Sequence, residues 1–95
     1  MSGWGARTVS IAGDVAWTST GERVVVLDLQ TPGAVPCVLE KSAAVIWEEI
    51  AETGPLMAEE LLRRLTEVFD VAEGEIRAHL EALIDDLARL QLIAA

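Results

Sequence analysis

The chain is poor in the residues from which most catalytic and metal sites are made. It contains one cysteine, Cys37, one histidine, His79, no tyrosine and a single phenylalanine. A lone thiol excludes an intrachain disulfide framework and suits a reducing compartment. Zinc takes three or four Cys, His or carboxylate ligands at set spacings, and Cys37 and His79 are far apart in the chain, so no metal is expected. No glycine-rich phosphate loop and no nucleophile paired with a base can be read, so neither cofactor nor catalysis is expected. Asp85 and Asp86 are neighbours on an expected helix and point about 100° apart, too divergent to converge on one bond.

Positive charge is scarce as well, with 7 Lys and Arg against 16 Asp and Glu and a net charge of −9. Residues 40–95 carry 13 acidic and 5 basic side chains, so the acidity belongs to that half. Such a surface repels phosphate backbones, which argues against a nucleic-acid partner, and it attracts a basic peptide or protein face. No apolar run approaches the roughly 20 residues that span a bilayer, and the N-terminus lacks the basic-then-apolar pattern of a signal peptide. A cytoplasmic protein without membrane association is the expectation.

What the chain does have is apolar content, 52% of its 95 residues, enough for one small core and one domain. Residues 1–8 are small and aperiodic apart from Trp4 and read as a loose arm. Residues 9–39 read as a small sheet. Val9-Ser10-Ile11 is a short extended piece, and Val15 and Trp17 alternate onto one face of a first full strand. After a turn at Ser19 to Glu22, Arg23 to Leu29 forms the central strand, whose Val-Val-Val-Leu run implies burial on both faces or a place inside a sheet. Gln30-Thr31-Pro32-Gly33 reverses the chain, with Pro setting φ at one corner and Gly accepting a positive φ at the next. Ala34 to Leu39 returns as a third strand. Val35, Cys37 and Leu39 share one of its faces, Pro36 and Val38 the other. Pro36 has no N–H, which makes this an edge strand, and an open edge is a template for another extended chain.

Residues 42–93 read as three helices. Ser42 is the expected N-cap of the first, which Gly54-Pro55 ends. The second runs from about Met57 to Phe69 with a weak cap, and its apolar stripe is Leu61, Leu62, Leu65, Val68 and Phe69. Asp70 and Glu73 have capping-box spacing for the third. Its stripe, Ile76, Leu80, Leu83, Ile84, Leu87 and Leu90, is wider than one packing partner requires, so part of it can line a groove. The architecture is therefore α+β, a three-stranded antiparallel sheet followed by three helices.

This order of elements, with Val-Val-Val-Leu-Asp-Leu, the Pro-Gly turn and the junction Leu39-Glu40-Lys41-Ser42-Ala43-Ala44-Val45-Ile46-Trp47, resembles PqqD-like proteins, the precursor-peptide recognition elements of ribosomally made, modified peptides. The likeness runs from about Val15 to Ile93. Only Glu40-Lys41 departs from the usual junction, and the stand-alone length and the Trp are most similar to the B1 proteins of lasso-peptide pathways. The resemblance implies a winged-helix-like fold without catalytic activity. It also implies that the leader segment of a precursor peptide adds as a strand to the edge at Val35, Pro36, Cys37, Val38 and Leu39, under the third helix. On that reading Val38, Ile76, Leu80 and Leu83 form an apolar pocket, and Glu73, Asp85 and Asp86, with Arg77 on the same helix, meet charged leader residues. The implied partners are the leader peptide, a leader peptidase and a macrolactam synthetase. Another modifying enzyme, such as a radical SAM protein, and a structural adaptor role are the alternatives. A winged-helix DNA reader shares the topology but would need a basic recognition helix, and Glu73 to Asp86 is acidic with one Arg.

Overall fold

The computed structural model describes residues 6–94. Trp4 and most of the expected N-terminal arm lie outside them. The order of elements is β1 (Thr8–Ile11), β2 (Val15–Thr20), β3 (Arg23–Asp28), β4 (Cys37–Glu40), α1 (Ser42–Thr53), β5 (Leu56–Met57), α2 (Ala58–Phe69), α3 (Glu73–Arg89) and β6 (Ile93–Ala94). This is an α+β fold with two antiparallel sheets, β2-β3-β4 and β5-β1-β6.

The larger sheet is the meander read from the sequence. Thr20 pairs with Arg23, and the two-residue loop between them turns on Gly21 at φ 65°. Between β3 and β4 the Ala34 N–H donates to the Thr31 carbonyl at 3.1 Å, and Gly33 sits at φ 76°, so Pro32 and Gly33 occupy the corners expected of them. β3 is the inner strand of its sheet, as expected, but it is not buried on both faces. Val24 and Val26 are fully buried while Val25 and Leu27 are only partly so. The hydrophobic run has one core face and one outer face, because only the inner side is covered by α1. The Trp17 ring meets buried Trp47 of α1 edge-on, with centroids 6.2 Å apart.

Strand β4 also begins later than the sequence implied. Ala34, Val35 and Pro36 precede it, and pairing with β3 runs from Cys37 opposite Val26 to Glu40 opposite Arg23. Pro36 has no N–H to give a ladder, so the strand starts immediately after it.

The smaller sheet was not foreseen. β1 pairs with β5 on one side, Val9 opposite Leu56, and with β6 on the other, Ile11 opposite Ile93. β5 falls in the gap between the first two helices and takes in Met57, expected to open the second, while β6 follows the third helix. Arg7 and Thr8, assigned to the loose arm, are held in place: the Ala58 N–H donates to the Arg7 carbonyl at 2.8 Å, and the Arg7 guanidinium pairs with Asp85 at 3.2 Å.

The helix ends follow local chemistry where it is strong. Gly54, at φ 76°, closes α1 with its N–H on the Ile50 carbonyl at 3.0 Å. Ser42 is not the N-cap. Lys41 holds that position at φ 56°, ψ −127°, and Ser42 is the first helical residue with its hydroxyl directed elsewhere. Asp70 does not begin a capping box either. It terminates α2 in the left-handed region, φ 52°, ψ 48°, which Asp tolerates, and α3 starts at Glu73 after Ala72. One hydrophobic core joins both sheets to all three helices, with Ile46, Trp47, Ile50, Leu61, Leu65, Leu80 and Ile84 at its centre.

Candidate functional site: an open strand edge beside α3

In the order β2-β3-β4, β4 pairs only with β3, so its outer edge carries no strand among the described residues. An unpaired edge presents alternate N–H and C=O groups outward. Two clefts lie at the ends of this edge, each with one wall from α3. The first has a volume of about 430 Å³ and is bounded by Val26, Asp28, Val35 and Cys37 on the sheet side and by Arg89 and Leu90 on the helix side. The second, about 340 Å³, lies beyond the other end of β4, among Ser42, Phe69, Val71, Glu75, Ile76 and His79. Helical spacing connects them: Glu75, His79, Leu83, Asp86 and Leu90 follow at steps of four, four, three and four residues and fall on one stripe of α3.

The walls differ in chemistry. In the first cleft the Thr31 hydroxyl donates to Asp28 Oδ2 at 2.8 Å and the Gln30 N–H donates to Oδ1 at 2.9 Å. These two bonds, the Thr31 hydroxyl foremost, hold the Asp28 carboxyl below its ordinary value of 3.8. They also tie down the loop that delivers Val35, which is 85% exposed, to the cleft mouth. Cys37 is half-buried there with a free thiol. In the second cleft Ser42 Oγ and His79 Nε2 share a hydrogen bond of 3.0 Å across the gap between α1 and α3. Phe69, Val71 and Ile76 supply the apolar part of that wall, and Glu75 lines it beside them.

Among the residues expected in the site, Val35, Cys37 and Ile76 line these clefts, with Pro36 between the first two. Leu83 is half-buried against the core on the connecting stripe. The others are placed differently. Leu80, expected in the pocket, is fully buried and belongs to the core, and Leu39 is buried beneath β4. Val38 points to the outer face of the sheet, 52% exposed, because it alternates with the inward Cys37 and Leu39 and pairs with Val25. Glu73 and Arg77 pair with each other at 3.2 Å, and Arg77 approaches Glu59 of α2 at 3.9 Å, which sets them on the α2 side of the helix. Asp85 is turned toward Arg7. Asp86 is engaged by Arg89 at 3.4 Å, beside the first cleft. Sequence reasoning missed Val26, Asp28, Arg89 and Leu90 in the first cleft and Ser42, Phe69, Val71, Glu75 and His79 in the second. The four-residue spacing that leads back from Leu83 through His79 to Glu75 was the signal that could have found two of the lining positions. Among the described residues no three His, Cys, Asp or Glu side chains gather to hold a metal ion.

A family model described as "Coenzyme PQQ synthesis protein D (PqqD)" matches residues 23–93, three quarters of the chain, from the start of β3 into β6. The chain belongs to the PqqD family. The solved structure described as "TbiB1 in Complex with the TbiA(beta) Leader Peptide" shares the fold of this PqqD-family chain, with a TM-score of 0.78 over 90% of this chain and 95% of that one at 22% identity. No curated protein matches it. The stretch matched by the PqqD model contains β4 and all three helices, hence both clefts.

Proposed function

We propose that the chain is a non-catalytic, single-domain binding module that takes the leader segment of a ribosomally made precursor peptide as an added strand on the outer edge of β4. It then delivers that peptide to a leader peptidase and a macrolactam synthetase of a lasso-peptide-type pathway, in the cytoplasm. The unpaired edge of β4, with a cleft at each end roofed by α3, is the observation that carries this reading. Main-chain hydrogen bonds to the edge supply affinity, and the clefts select alternate side chains. Because β4 is four residues long, few ladder bonds are available and the clefts must contribute much of the binding. Membership of the PqqD family and the shared fold with TbiB1, whose structure contains a leader peptide, support it. A helix long and apolar enough to cross a membrane is absent among the described residues. One core spanning both sheets supports a single folding unit.

The thiol of Cys37 provides the test, since it is the only one in the chain and stands at the first residue of β4. A precursor leader peptide that binds in fluorescence anisotropy should also slow alkylation of Cys37 by iodoacetamide. Binding that leaves the alkylation rate unchanged would move the site away from β4.

A further inference from the structure

We propose that Ser42 and His79 form a polar selectivity subsite in the second cleft, which takes a neutral guest side chain that both donates and accepts hydrogen bonds, an amide or a hydroxyl. The inference rests on the leader-binding reading and specifies what the guest must carry. The two side chains hydrogen-bond at 3.0 Å, and with the ring neutral either direction of that bond leaves the same outward capacity. If the Ser42 hydroxyl donates to Nε2, Nδ1 carries the remaining ring proton as a donor while Oγ keeps a lone pair as acceptor. If Nε2–H donates to Oγ, Nδ1 is the acceptor and the hydroxyl is the donor. The pair thus offers one donor and one acceptor in either tautomer. An amide or hydroxyl can satisfy both, whereas a carboxylate has no donor and an ammonium has no acceptor.

The surroundings make the match matter. Phe69, Val71 and Ile76 form the apolar remainder of the cleft, so a guest side chain entering it loses water on those sides and needs the Ser42–His79 pair in return. Glu75, the charged group in this wall, repels a guest carboxylate. Spacing fixes the neighbouring contact. Guest residues two apart on an added strand repeat about every 6.6 Å, close to the roughly 6.0 Å rise between helix positions four apart. On a guest strand that runs along α3, a residue over His79 therefore has its i±2 neighbours near Leu83 on one side and Glu75 on the other. The recognised pattern is an apolar residue two positions from an amide or hydroxyl residue.

A random dodecapeptide phage library selected on the full chain tests this. Wild-type selection should enrich an apolar residue with Asn, Gln, Ser or Thr two positions away. Selection on His79→Phe, which keeps a ring but removes both nitrogens, should retain the apolar preference and lose the polar one, and Ser42→Ala should do the same. A synthetic peptide from the wild-type pool should lose about five- to tenfold in affinity when its amide or hydroxyl residue becomes Leu, a measurement on the unaltered protein that requires no variant to fold. An identical consensus on wild type and both variants, or no loss with the Leu peptide, would overturn the subsite. Selected peptides that protect Cys37 from alkylation without a polar preference sink only this inference. Selected peptides that leave Cys37 unprotected sink the leader-binding reading as well.

Discussion

Leu80 and Leu83 are three residues apart on α3, and the structure assigns them opposite consequences. Leu80 is fully enclosed in the core, while Leu83 is half-buried on the stripe between the two clefts. Truncating a buried Leu to Ala costs about 2–5 kcal/mol, the larger values where the neighbours cannot close the cavity. A chain of this length has a total stability of about 5–14 kcal/mol, so Leu80→Ala removes a large fraction of it. At about 4–8 °C per kcal/mol for a small domain, the melting temperature should fall by about 8–40 °C. Below that transition the folded protein should bind peptide with nearly unchanged affinity, since Leu80 touches neither cleft. Leu83→Ala should cost only about 1 kcal/mol of stability, because the side chain is partly in water already, yet weaken peptide binding severalfold. Circular-dichroism melts give the first quantity and fluorescence anisotropy at low temperature the second. A Leu80→Ala protein that melts within a few degrees of wild type but loses peptide affinity would refute the placement of Leu80 in the core and the division of α3 into core and groove faces.

Two further perturbations probe the corners of the site. Because hydrogen bonds from Thr31 and Gln30 depress the Asp28 carboxyl below 3.8, its contribution is present above that value and is lost as the pH falls through the lower folded one; a carbon-13 NMR titration should place its midpoint below 3.8, and a midpoint at or above it would mean the loop bonds do not persist in solution. Lys41 is a non-glycine residue at φ 56°, ψ −127°, where a Cβ is strained; Lys41→Gly should raise the urea midpoint by the equivalent of about 0.5–2 kcal/mol after glycine's extra chain entropy is subtracted, and a lower midpoint would show that the backbone there is unstrained.

The sequence determined the features whose causes lie within a few residues of one another. Pro32-Gly33 fixes the β3–β4 reversal, Gly54-Pro55 ends α1, and the recurring apolar residues of α2 and α3 specify helices, since each needs only its own φ, ψ and periodicity. Tertiary structure decided the rest, where competing local options were of similar energy. Asp70 could have capped α3, but a left-handed turn there closes α2 instead. Ser42 could have capped α1, but its hydroxyl bonds His79, 37 residues away. β5 and β6 are two residues each, too short for any periodicity, and they exist because β1 offers both of its edges. The same holds for the site. An open edge at β4 was legible from Pro36 and the turn before it. Which side of α3 faces that edge was not, because an apolar stripe reveals that a helix has a buried face but not what lies to either side of it.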